Sequence, residues 1–219
     1  MSNPFFGFLG HWPLAVTLAL LPVGQALGQA SSCDTTNGGF SLSIEQVAQD
    51  LGTYVVGADT VDLTGYSTYR LYLECETTAD KLSAVEGSAA RPLFIHSTSD
   101  FYQSALLGGA NGALANGISP VLFSTYPDLE YDSWVTIGID QMPNASNGET
   151  QVSLIEDTPF NPLSIGFANG GNLTVDSEAG SSWFIDNSDL YTNGLAGADS
   201  KVLVAQLTTD GEISGQLGM

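Results

Sequence analysis

Short β-forming segments recur about every ten residues along this chain, and no segment shows the period of a helix of ordinary length. The clearest segment is 66–76, in which apolar and polar residues alternate. One face of it carries Tyr69, Leu71, Leu73 and Cys75, and the other carries Arg70, Tyr72, Glu74 and Glu76. A period of two is typical of a half-buried strand in an antiparallel sheet. The pattern therefore predicts an all-β fold, an antiparallel β-sandwich that is jelly-roll-like.

The first thirty residues do not have the character of the rest of the chain. Residues 14–21 form an apolar run that is too short to span a bilayer, which requires about 20 apolar residues. Ala26, Gly28 and Ala30 follow it and fit a signal-peptidase site, although no Lys or Arg precedes the run. We interpret residues 1–30 as a cleavable secretory signal peptide. An uncleaved hydrophobic anchor is the alternative.

The remaining residues have the length of one β domain. We expect residues 31–39 to be a polar linker and residues 40–219 to be a single β-sandwich domain. The domain finishes on an alternating segment, 213–219. We therefore expect either that the chain is truncated at its C-terminus or that its last strand pairs with another strand, including strand-mediated self-association.

The charge of the chain limits its partners. It has 24 acidic and four basic residues, a net charge of −20, and every charged side chain lies after residue 30. Nucleic acid is excluded because phosphate binding requires clustered Lys and Arg, and an anionic membrane surface is disfavoured for the same reason. No second apolar run follows, so we expect no membrane insertion after signal cleavage. The acidity fits a saline exterior, where salt screens charge over about 8–10 Å.

The two cysteines, Cys33 and Cys75, both follow the expected cleavage site. An even pair in a secreted chain favours a disulfide, which would stabilise the fold by about 2–4 kcal/mol. A bacterial lipid anchor on Cys33 is the rival interpretation. The sequence Ala30-Ser-Ser-Cys33 lacks the Leu expected three residues before a lipidated Cys.

Two acidic loops are candidates for binding Ca²⁺, which takes six to eight oxygen ligands. The first offers Asp128, Glu130 and Asp132, just before a segment, 134–139, that is expected to be a strand. The second offers Asp186, Asn187, Asp189, Asn193 and Asp199. Neither loop has the spacing of an EF-hand, and clusters of this kind also arise by chance in so acidic a domain.

Other chemistries have weaker support in the sequence. His96 is the only His after the signal peptide, it alternates with strand residues, and no Gly-x-Ser-x-Gly motif is present, so we expect it to be structural. Trp134 and Trp183 could stack on glycans, but both lead into apolar residues, which favours core positions. A glycoside hydrolase needs only two carboxylates, and no motif selects such a pair.

Six segments of the chain carry a recognisable pattern. They are Tyr69-Arg-Leu-Tyr-Leu73, Asp80-Lys-Leu-Ser-Ala-Val85, Pro92-Leu93, Phe101-Tyr-Gln103, Tyr131-Asp-Ser-Trp-Val-Thr-Ile-Gly138 and Val202-Leu-Val-Ala-Gln-Leu-Thr-Thr-Asp-Gly-Glu-Ile-Ser-Gly215. Together they resemble an uncharacterised repeated β-sandwich module of large secreted or surface proteins of marine microbes. The resemblance covers residue 40 to the C-terminus and implies no catalytic residues.

These observations favour a secreted, non-enzymatic β domain of a cell surface, adhesin or extracellular matrix, stabilised by calcium. Its expected partners are other extracellular proteins or polysaccharide. A carbohydrate-binding module is the first alternative. A glycoside hydrolase that acts through a carboxylate pair is the second.

Overall fold

The computed structural model describes residues 40–157 and 163–218, together with the backbone of two short segments, Ala15–Leu18 and Ser31–Ser32. Its sheets are antiparallel, and the longest α-helix in the described residues, Ala110–Ala113, has four residues. The predicted all-β class is therefore confirmed. The strands are β1 (Ala15–Leu18), β2 (Ser31–Ser32), β3 (Ser41–Gln49), β4 (Gly52–Val56), β5 (Asp59–Leu63), β6 (Ser67–Glu74), β7 (Ala84–Gly87), β8 (Leu93–Ser97), β9 (Trp134–Val135), β10 (Ser153–Ile155), β11 (Leu173–Val175), β12 (Ser181–Phe184), β13 (Lys201–Thr209) and β14 (Ile213–Gly218).

The strands form two larger sheets and a hairpin. Six strands of the first sheet follow the order β10-β12-β7-β14-β8-β11, and β1 adds to it by pairing with β14. Four strands of the second sheet follow the order β3-β6-β13-β9, and β2 pairs along the outer side of β3. The hairpin consists of β4 and β5, which connect β3 to β6.

One hydrophobic cluster draws its residues from both larger sheets. Leu71 and Leu73 of β6 are buried in it, as the alternation in 66–76 predicts. Val85, Ile95 and Trp183 enter it from the first sheet. Strand β13 is buried along almost its whole length because it lies between β6 and β9.

The strand expected at 134–139 is shorter than the sequence indicates. Regular pairing covers only β9, Trp134–Val135, although the Thr136 and Gly138 amides still donate to the Val204 and Leu203 carbonyls of β13. Gly138 has φ +71°, a conformation that ends the extended run. Residues 134–138 therefore run alongside β13, but only the first two of them, β9, belong to the regular β-ladder.

Three expectations concern the N-terminal region. The signal peptide and the linker lie, apart from Ala15–Leu18 and Ser31–Ser32, outside the described residues. Cys33 also lies outside them, so the Cys33–Cys75 disulfide stays a prediction. Burial raises the pKa of the Cys75 thiol to about 11, and Cys75 contributes with Phe40 and Leu82 to a cavity of about 370 Å³. In the described part of the chain, no helix has the length and hydropathy to cross a membrane.

Candidate functional site

Two aspartates are buried at a 3₁₀ turn, Pro127–Tyr131: Asp128 lies within it and Asp132 directly follows it. Asp128 is 1% exposed and Asp132 is 0% exposed. Pro127 begins the turn, and the fully buried Leu129 fixes it against the core. Charged side chains are seldom buried without a partner, so this pair is the most unusual feature of the described residues.

The segment that follows β8 supplies the hydrogen-bond donors of the pair. Oδ2 of Asp128 accepts from the Tyr102 hydroxyl at 2.7 Å and from the Ser104 hydroxyl at 2.6 Å. Oδ1 of Asp132 accepts from the Ser104 backbone N–H at 2.7 Å. The donors are held in place because the Tyr102 N–H donates to the Thr208 carbonyl of β13 and the Tyr102 carbonyl accepts from Ser133.

Gln206 of β13 holds the backbone of the acidic turn from the other side. Its Nε2 donates to the carbonyl oxygens of Glu130 and Asp132, each at 3.0 Å. Its Oε1 accepts from Nε of Arg70 at 3.2 Å. The pair is thus built by three separate stretches of chain, 102–104, 128–132 and Gln206.

One oxygen of each buried carboxylate is left over. Asp128 Oδ1 and Asp132 Oδ2 have no hydrogen-bond partner among the described residues. Burial raises the pKa of Asp132 to about 8, and the negative charge of Asp128 adds to this effect, while the Ser104 N–H opposes it. Within the described residues, these two oxygens therefore have neither a hydrogen-bond donor nor a positive charge to compensate them.

None of the four Lys and Arg side chains, which all lie in the described ranges, supplies that charge. Arg70 pairs with Asp140, Arg91 with Glu86, and Lys201 with Glu45 and Glu74. The Lys81 ammonium donates to the Ser188 carbonyl. All four basic residues are thus engaged elsewhere.

The structure divides the first predicted calcium loop. It buries Asp128 and Asp132 but leaves the side chain of Glu130 between them exposed, so only the Glu130 carbonyl faces the site. Across the described ranges, no three His, Cys, Asp or Glu side chains come together as a potential metal site. The pair, and not the three-residue set, is therefore the unit with site geometry.

The second predicted loop does not assemble around one point. Its side chains Asp186, Asn187, Asp189 and Asp199 are exposed. Asn193 is buried, where its amide nitrogen donates to the Ile137 and Thr150 carbonyls and its oxygen accepts from the Thr150 N–H. Asn193 is therefore a structural link between loops in this fold.

Two tryptophans were considered above for glycan stacking. Trp134 and Trp183 are each 1% exposed, and Nε1 of Trp183 donates to the Thr136 carbonyl at 3.0 Å. Neither ring presents a face to a sugar in this structure. His96 lies on the outer face of β8, where its Nε2 is hydrogen-bonded to the Thr174 hydroxyl at 2.8 Å and burial lowers its pKa.

Three site residues were not identified from the sequence: Tyr102, Ser104 and Gln206. Gln206 and Thr208 carried the only available signal, because they are polar residues inside an otherwise apolar strand. A buried amide in a central strand has to satisfy its hydrogen bonds, which points to backbone contacts across the sheet. Tyr102 and Ser104 carried no comparable signal.

Each of the two unpartnered carboxylate oxygens can accept a hydrogen bond or contact a positive charge. A proton satisfies one carboxylate, whereas a divalent cation neutralises both. Protonation and cation binding would both leave the existing hydrogen bonds to Tyr102, Ser104 and Gln206 in place. In comparisons with known proteins, the chain matches no family model, no curated protein and no solved structure.

Proposed function

We propose that this chain is a secreted, non-enzymatic β-sandwich domain of a cell surface or extracellular matrix, stabilised by one Ca²⁺ ion bound at Asp128 and Asp132. The single observation that carries the proposal is the pair of unpartnered carboxylate oxygens on two fully buried aspartates. An uncompensated charge in such a position is costly, and a cation removes that cost.

The chemistry of the site favours calcium over softer metals. The unpartnered atoms are two carboxylate oxygens, Asp128 Oδ1 and Asp132 Oδ2, and oxygen is the ligand that Ca²⁺ takes. Zn²⁺ prefers His and Cys ligands, and no His or Cys of residues 40–157 and 163–218 joins the pair in a metal-binding group. Two carboxylates also balance the charge of a divalent cation.

The charge of the chain and the expected leader support the proposed extracellular setting. The net charge of −20 lies outside the expected signal peptide and is best tolerated where salt and calcium are abundant. The two larger sheets contribute to one core, which supports the sandwich part of the proposal. A bound ion would fix the irregular stretches 102–104 and 128–132 against β13, a stabilising role suited to a domain of a surface layer or adhesin.

The geometry does not favour either alternative function at this site. A glycoside hydrolase needs its two carboxyl groups to reach a glycosidic bond in a cleft, and Asp128 and Asp132 are closed off from solvent. Glycan stacking needs exposed aromatic faces, and Trp134 and Trp183 are in the core. Polysaccharide and other extracellular proteins remain the proposed partners of the domain surface.

Thermal unfolding with and without Ca²⁺ tests the proposal, using Asp132→Asn and the matched control Glu130→Gln. Both variants replace an acid of the same acidic segment by its amide, but only Asp132 is buried. At a Ca²⁺ concentration of about 100 times Kd, binding adds about 2.7 kcal/mol, or roughly 5–10 °C in Tm. We expect this shift in the wild type and in Glu130→Gln, and its loss in Asp132→Asn.

Two results would overturn the proposal. One is a wild-type Tm that is the same in EDTA and in millimolar Ca²⁺. The other is a calcium shift in Asp132→Asn as large as that of the wild type, which would place the ion elsewhere.

A further inference from the structure

Strand β14 (Ile213–Gly218) has partners on both of its edges. Along one edge it pairs with β8, from Ile213 opposite Ser97 to Gln216 opposite Phe94, and then with β7 at Gly218. Along the other edge it pairs with β1, from Leu18 opposite Gly215 to Ala15 opposite Gly218. The second edge of β14 is thus covered by β1.

The strand that covers this edge lies within the expected signal peptide. Ala15–Leu18 belongs to residues 1–30, which we expect to be removed on secretion. Cleavage would remove the partners that β1 gives to the backbone N–H and C=O groups on this side of residues 215–218. Unpaired edge groups are a template for another strand.

β14 has none of the features that usually protect an edge. Its sequence, Ile-Ser-Gly-Gln-Leu-Gly, contains no charged residue and no proline, and no bulge interrupts its pairing with β1. Its inward side chains, Ile213 and Leu217, are buried in the core. The strands at the ends of the two larger sheets, β2, β9, β10 and β11, have only two or three residues and offer little to a partner. The outer edge of β3, which β2 covers at two positions only, carries Glu45 and a β-bulge or similar irregularity, features that protect an edge.

We propose that, after the leader is removed, β14 accepts an antiparallel strand from another polypeptide, a segment that is uncharged and apolar like Ala15-Val-Thr-Leu18. The observed pairing with β1 supplies the register and the direction. A second copy of this chain is a poorer donor because it would bring a further net charge of −20 to the contact. Strand addition of this type derives its affinity from main-chain hydrogen bonds.

The test uses the protein purified after secretion, with its N-terminus established by intact mass. The probe is a fluorescent peptide of residues 12–21 with a solubilising tail, and binding is followed by fluorescence anisotropy. Two control peptides are N-methylated, one at Ala15 and Thr17 and the other at Val16 and Leu18. Alternate amides of a strand face opposite edges, so only one of the two sets faces β14.

We expect the unmodified peptide to bind, one methylated peptide to lose at least tenfold in affinity, and the other to retain it. The same result is expected in EDTA, which separates this proposal from the calcium site. Several results would overturn the proposal: no binding to the leaderless protein, equal binding of the two methylated peptides, or an intact mass that retains the leader. If the leaderless protein sediments as a dimer, a second copy of the chain occupies the edge of β14, and this result would also overturn the proposal.

Discussion

Ser104 donates from its hydroxyl to Oδ2 of Asp128 over 2.6 Å, and this buried bond joins two irregular stretches that lie 24 residues apart. The backbone N–H of the same serine donates to Asp132 at 2.7 Å. One residue therefore orients both acids, and the oxygens that it leaves over are the ones without partners. Protein donors alone therefore hold both carboxylates in place, and the proposed cation site requires this kind of preorganisation.

The stability of the calcium-free protein should depend on the protonation of Asp132. Burial first, and then the charge of Asp128, raises its pKa from 3.8 to about 8 on folding. The folded state therefore holds a proton that the unfolded state releases between these values. The stability that this proton on Asp132 contributes to the folded state is fully present below about pH 4. It declines as the pH rises toward 8 and is lost above pH 8.

Urea unfolding in EDTA from pH 4 to pH 9 measures this dependence. Because many other carboxylates also titrate, the relevant quantity is the difference between the wild type and Asp132→Asn. We expect the unfolding free energy of the wild type to fall relative to the variant across this range. Parallel pH profiles for the two proteins would contradict the assignment.

Replacement of Gln206 should loosen the acidic turn. Gln206→Ala leaves the Glu130 and Asp132 carbonyls without their shared donor in a position that is 3% exposed. We expect a loss of about 2–4 kcal/mol in unfolding free energy. The control is Gln216→Ala, which removes a single exposed bond to the Pro92 carbonyl and should cost below about 0.5 kcal/mol. Equal losses in the two variants would show that the contacts of Gln206 have no special role.

Gly138 should tolerate no side chain. It combines φ +71° with a position where a Cβ atom would overlap the carbonyl of Asn193. Gly138→Ala should therefore cost at least about 3 kcal/mol in unfolding free energy. Gly57→Ala has a similar φ, +64°, but open space around it, and should cost about 1–2 kcal/mol. A Gly138 variant as stable as the Gly57 variant would contradict the close contact with Asn193.

The sequence was sufficient for features that depend on local pattern. The alternation of residues 66–76 predicts β6 and its buried face because a period of two leaves little choice of orientation. The strand predicted at 134–139 ends early at Gly138, which has a positive φ and lies where a Cβ atom would overlap the Asn193 carbonyl, 55 positions away. Nothing in the local pattern distinguishes this glycine from one inside a strand.

The candidate site was found only in part for the same reason. The acidic composition of the segment predicts a site at Asp128, Glu130 and Asp132, but it does not show which of these side chains are buried. That choice depends on Tyr102, Ser104 and Gln206, which lie from 24 to 76 positions away in the sequence. The side chains of the second loop do not come together at one point. Its aspartates are exposed to solvent, and the Asn193 side chain is hydrogen-bonded to backbone groups.

A crystal structure of the secreted protein grown with Ca²⁺, with anomalous data to identify the ion, tests the central claim most directly. We expect one Ca²⁺ within about 2.3–2.6 Å of both Asp128 Oδ1 and Asp132 Oδ2. Glu130 should remain exposed and outside the coordination shell. An ion-free pair in crystals grown at saturating Ca²⁺, or an ion held only by the 186–199 loop, would contradict the account.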